Sequence, residues 1–142
     1  MHAAQRPMSF RVVAIVALLW NLFGLFSFYT NVTATPAVIA SWPEAQQQIA
    51  AATPRWVFVA FAIATIAGVL GSLGLLLGKR WAVPVLLLSL PAVLVQFGSI
   101  YALTPAWVLT GIGGAILPLC IGAFGLFLWW YARKAAARGW LT

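Results

Sequence analysis

Leu75-Leu76-Leu77-Gly78-Lys79-Arg80-Trp81-Ala82-Val83-Pro84 sets one glycine and two adjacent cations between two long apolar runs. A break this short cannot hold structure of its own, so it reads as the turn of a helical hairpin whose arms lie in hydrocarbon. Working outward from it, the chain divides into four apolar blocks at 12–30, 56–78, 81–103 and 107–131. Each is close to the ~20 residues a helix needs to cross a ~30 Å membrane core. Only the connection 31–54 is sizeable.

The charges repeat the pattern. Arg6, Arg11, Lys79, Arg80, Arg133, Lys134 and Arg138 fall just outside the blocks on alternate connections, while Arg55 and the chain's one acid, Glu44, fall on the others. Cytoplasmic loops collect basic residues, so this distribution predicts that both termini and the Gly78–Arg80 turn lie in the cytoplasm. The expected fold is therefore an all-α polytopic membrane protein, residues 1–142 forming one antiparallel bundle of four transmembrane helices. Arg11, Lys79, Arg80, Arg133, Lys134 and Arg138 are assigned to topology and to contact with anionic lipid headgroups.

Composition agrees. The chain is 64% hydrophobic and 6% charged, with a mean hydropathy of +1.03, which calls for lipid as its solvent. The net charge of +7 would suggest nucleic acid in a soluble protein, but here it is split among short juxtamembrane segments. The first apolar run exceeds the roughly 7–15 residues of a signal peptide's core and is expected to be a span. The sequon Asn31-Val32-Thr33 sits at a helix end and carries no weight.

Polar punctuation marks the rest. Ser41-Trp42-Pro43-Glu44 reads as a capping box, Ser41 capping a helix and Glu44 returning the bond, which predicts a short amphipathic helix in the outer loop. Its apolar positions Ala45, Ile49 and Ala52 would face membrane or bundle, with Gln46 to Gln48 largely in water. In the second block Ala60, Ala64, Gly68 and Ser72 recur every fourth residue, continued by Gly74 and Gly78, as a face that lets a neighbouring helix approach closely. Pro91 and Pro118 are expected to bend the third and fourth helices and leave room for a cavity nearby. Trp56, Trp81, Trp107, Trp129 and Trp130 sit at block boundaries, as interfacial anchors do.

Chemistry is sparse. One His, one Cys and one acid lie far apart, as His2, Cys120 and Glu44, which assembles neither a metal site, a haem ligand nor a catalytic set. No enzymatic activity, metal or cofactor is expected. Among neutral polar groups within the spans, Asn21, Gln96, Ser99 and Tyr101 form the candidate intramembrane site, joining helices by hydrogen bonds or lining a path for a neutral solute. No inverted repeat of the transporter kind is visible.

Trp20-Asn21-Leu22-Phe23-Gly24, the Gly68 to Pro84 stretch and Trp130-Tyr131-Ala132-Arg133-Lys134-Ala135-Ala136-Ala137-Arg138-Gly139 together resemble a group of small four-span inner-membrane proteins of bacteria often labelled sugar transporters. The resemblance implies fold, topology and a bacterial inner membrane; no sugar-binding motif accompanies it. The expected role is an accessory or scaffold subunit that contacts membrane lipids and packs in a larger complex or as a homo-oligomer. The alternatives are an oligomeric transporter of a small neutral solute and a lipid- or quinone-binding protein.

Overall fold

A computed structural model describes residues 6–142; His2 lies outside the described residues. Six helices follow one another: α1 (Met8–Val32), α2 (Pro36–Ala40), α3 (Glu44–Ala52), α4 (Val57–Leu76), α5 (Ala82–Leu103) and α6 (Ala106–Ala137). There is no strand among the described residues. Four helices, α1, α4, α5 and α6, are long and apolar enough to cross a membrane. At 32 residues, α6 is longer than the ~20 residues a helix needs to cross a membrane core, with Arg133 and Lys134 near its C-terminal end.

Helix order in space follows order in sequence, with α1 against α4, α4 against α5 and α5 against α6. Why α4 sits inside is visible in its small residues. Ala60, Ala64, Gly68, Gly71, Ser72 and Gly74 are all buried, and a Cβ added to Gly74 would sit 2.6 Å from the Trp81 ring. Such backbone approach supplies the van der Waals contact that replaces the hydrophobic effect in lipid. On the fourth side α1 and α6 meet through rings, Trp20 with Phe124 at 5.4 Å and Phe10 with Tyr131 at 6.3 Å between centroids.

The ends of the helices explain the basic cluster. At the end of α4, Gly78 takes φ +73°; its N–H donates to Leu75 O at 3.0 Å and that of Lys79 to Gly74 O at 2.8 Å. This pair of bonds is the Schellman closure, which needs a left-handed residue best supplied by glycine. Gly139 repeats it after α6, with φ +75° and Trp140 N–H donating to Ala135 O at 2.9 Å. The two closures lie together: Thr142 N–H donates to Gly78 O at 2.8 Å and Arg80 N–H to Thr142 O at 3.2 Å. Arg6 Nε donates to Trp140 O at 2.8 Å, and its guanidinium occupies the space a Gly78 side chain would fill. Beneath them Leu141, Phe10, Leu75, Ala82 and Ala135 share a buried cluster. The start of α1, the α4–α5 turn and the end of α6 thus form one basic end. Arg133 lies over Trp129 at 5.0 Å, Lys134 over Trp130 at 4.6 Å and Arg138 over Trp140 at 5.2 Å, each cation resting on a ring face.

Several expectations need correction. The connection between α1 and α4 contains two short helices, and Ser41 closes the first instead of opening the second; its hydroxyl donates to Val38 O at 2.5 Å. α3 begins after Pro43 without a side-chain cap, because Trp42, preceding a proline, is held out of the helical region. Glu44 does not return a bond to Ser41; its Oε1 accepts from Gln48 at 3.5 Å. Gln46 and Gln48 are exposed and Gln47 half-buried, and Gln47 also donates to Trp42 O at 2.7 Å, tying α3 to the turn before it. The backbone break within α6 falls at Gly111, φ +62° and ψ −156°. At Pro91 and Pro118 the chain remains helical.

Candidate intramembrane cavity

All four long helices contribute to one cavity of about 360 Å3. The α5 face that lines it is Leu86, Ser89, Val93, Gln96, Phe97 and Ile100, positions three or four apart and so stacked along one side of a helix. From Leu86 to Ile100 this face rises about 21 Å, so the cavity is a slot that runs along the helices. Opposite lie Trp20, Asn21, Phe23, Gly24 and Ser27 of α1 and Leu117, Ile121, Phe124 and Leu128 of α6. Phe23 and Leu117 are well exposed while Leu86 and Gln96 are buried. The slot therefore runs from the bundle interior to the face that lipid would cover, along the α1–α6 side where backbones stay apart.

Polar groups in this slot divide into satisfied and free. Asn21 Nδ2 donates to Ala17 O at 2.8 Å and to Ser72 Oγ at 3.0 Å, so both of its donors are used, one of them in joining α1 to α4. Its Oδ1 lies against the backbone of Gly68, where any Cβ would collide with it. Thr65 Oγ1 donates to Phe61 O at 2.9 Å and Ser89 Oγ to Leu86 O at 2.7 Å. These hydroxyl protons return to their own helices, the ordinary solution in an apolar setting, and leave only lone pairs toward the cavity.

Gln96 differs. It is 4% exposed, lines the slot, and its amide makes no hydrogen bond to another described residue. Among the described residues no side-chain polar atom sealed from solvent lacks a partner, so the Gln96 amide is open to the cavity. A primary amide offers two donors and one acceptor, and leaving them unmatched in an apolar site costs about 1–3 kcal/mol.

The candidate set is thus split. Asn21 and Gln96 meet at the cavity; Ser99 and Tyr101 do not line it, and Tyr101 packs its ring on Trp107 at 6.1 Å. Thr65, Ser89 and Ser27 belong to the lining instead, as do the rings of Trp20, Phe23, Phe61, Phe97 and Phe124. The helical spacing of Leu86, Ser89, Val93 and Gln96 was the signal for this face. Pro91 and Pro118 lie away from the slot. Among the described residues no group of three or more His, Cys, Asp or Glu could hold a metal ion. No family model matches the chain, and neither a curated protein nor a solved structure matches it significantly.

Proposed function

We propose that this chain is a non-enzymatic integral membrane protein that holds one membrane-soluble molecule in its intramembrane slot. The observation that carries the reading is the open Gln96 amide in a largely apolar, ring-lined cavity. Its size falls within the range of small-molecule sites, which combine apolar walls with a few placed polar groups. A sugar would need several free donors and acceptors, and the slot has few, so the solute-transporter alternative finds less support here. The bacterial inner membrane and cytoplasmic placement of the basic end belong to the same proposal, resting on the quoted resemblance and on the bias of Lys and Arg.

Purification in mild detergent, followed by extraction and mass spectrometry of bound lipids, tests the reading. Gly24 lines the slot and a Cβ there would have an ordinary 3.6 Å contact with Thr65 Cγ2, so Gly24→Leu fills the cavity with little disturbance to the helix. A molecule retained by the wild type at about one per chain and lost from Gly24→Leu supports binding; identical extracts from both count against it.

The accessory-subunit reading keeps one specific support. Gly113 and Gly122 on α6 have open space where a side chain would be, and glycines in lipid permit close approach of another helix. Native sizing of the solubilised protein with its partners tests this: a stoichiometric hetero-complex favours it, a monomer removes it.

A further inference from the structure

Resting on the reading of the slot as a binding site, we infer that its occupant is a neutral, single-tailed, unsaturated lipid whose one carbonyl or hydroxyl head is read by Gln96. Four observations converge. The slot extends about 21 Å along α5 but holds only about 360 Å3, less than the two tails of a phospholipid occupy together. Its walls carry the rings of Trp20, Phe23, Phe61, Phe97 and Phe124, whose faces pack well on planar unsaturated groups. Among the described residues no cation lines it: Lys79, Arg80, Arg133 and Lys134 are exposed at the basic end and Arg55 is exposed beyond the other end of α4, so a carboxylate or phosphate head inside would remain uncompensated. Finally, the Gln96 amide is the most deeply buried open donor, at 4% exposure, since Asn21 has used both of its N–H groups and Thr65 and Ser89 direct theirs to carbonyls, while the Trp20 indole N–H and the Ser27 hydroxyl line the slot from the more exposed α1 side.

Orientation follows from the same inventory. Gln96 lies seven residues beyond Ser89 along α5, about 10 Å farther from the basic end. A head held at Gln96 lays its tail toward Leu86 and Leu128, which are buried at the closed end of the slot. The open α1–α6 side allows such a molecule to enter from the bilayer without crossing an aqueous surface. A single hydrogen bond from an amide to a carbonyl in this environment discriminates by about ten-fold between a head that accepts it and one that does not.

The test uses three probes with the same two-prenyl tail, namely a benzoquinone, the corresponding alcohol and the hydrocarbon without a head, titrated into the full chain in lipid nanodiscs. For the wild type, the quinone or the alcohol is expected to bind about ten-fold tighter than the hydrocarbon, and whichever wins identifies the head. In Gln96→Leu all three are expected to bind alike, with the hydrocarbon no weaker than before. Equal binding of the three probes by the wild type would overturn the inference while leaving the slot a binding site. No binding of any probe, or binding unaltered by Gly24→Leu, would remove the slot reading itself. Retention of α-helical circular dichroism by both variants separates these outcomes from misfolding.

Discussion

The Asn21 amide on α1 donates to the Ser72 hydroxyl on α4 at 3.0 Å, across 51 residues of sequence, and does so beside Gly68, whose missing side chain is what admits it. Hydrogen bond and close approach are therefore one device. Gly68→Ala should lower stability by about 2 kcal/mol, as overpacking does, while Asn21→Ala should cost about 1 kcal/mol. The double variant should be markedly more stable than the two losses added, because removing the amide vacates the space the new methyl needs. Unfolding of the four proteins in denaturing detergent measures the coupling; additive losses would mean that the two residues do not share the site.

Gly78 and Gly98 are predicted to respond oppositely to alanine. Gly78 has φ +73° and the Arg6 guanidinium where its Cβ would go, so Gly78→Ala should cost at least 1 to 2 kcal/mol. Gly98 is helical with nothing within 4 Å of a built Cβ, so Gly98→Ala should be neutral or up to about 1 kcal/mol stabilising. Thermal unfolding of the two variants in one detergent makes the comparison.

Leu141 is only 3% exposed, set among Phe10, Leu75 and Ala135. Leu141→Ala is expected to destabilise by about 2 kcal/mol or more and to increase proteolysis at the basic end. Thr142→Ala removes the side-chain bond to Gly78 O at 3.3 Å but keeps the 2.8 Å backbone bond, and should cost about 0.5 kcal/mol.

Cys120 is exposed on α6, within the fourth apolar block. In intact membranes it should resist a charged, impermeant maleimide and react with a permeant one. In a Cys120→Ala background, Arg80→Cys and Arg133→Cys should be labelled from the same side and Gln48→Cys from the other. Labelling of Arg80→Cys and Arg133→Cys from opposite sides would overturn the membrane topology proposed for the basic end.

How much of this was legible in the sequence follows from the kind of signal each feature leaves. Apolar length gave the four long helices, because hydrocarbon imposes a dimension on any helix that crosses it. The role of Ser41 was misread although Pro43 carried the answer: a helix cannot run comfortably through the residue before proline, so α3 had to start later. Tyr101 was grouped with Gln96 by polarity, yet five residues at about 100° each place it roughly 140° around α5 from Gln96. The break at Gly111 had no local mark to separate it from Gly113 and Gly114, since which glycine takes a positive φ depends on the turn that α6 must make after Thr104 and Pro105. That Gln96 stays free while Asn21 is bonded also required three dimensions, because both are amides within apolar helices.

Packing around the bundle is unequal, and this gives the molecule a mechanical direction. Three of its sides are stiffened by backbones in contact, whereas the α1–α6 side is spanned by aromatic planes such as Trp20 and Phe124, 5.4 Å apart, which slide past one another with few bonds to break. Fluctuations gather where local contact is thinnest, so that seam is expected to yield first, above the basic end where Arg6 Nε donates to Trp140 O at 2.8 Å. Phe23 stands on this seam, lining the slot and well exposed, so the proposed exchange of a molecule with the bilayer would call on the compliance of the surrounding lipid rather than on a hinge in the chain.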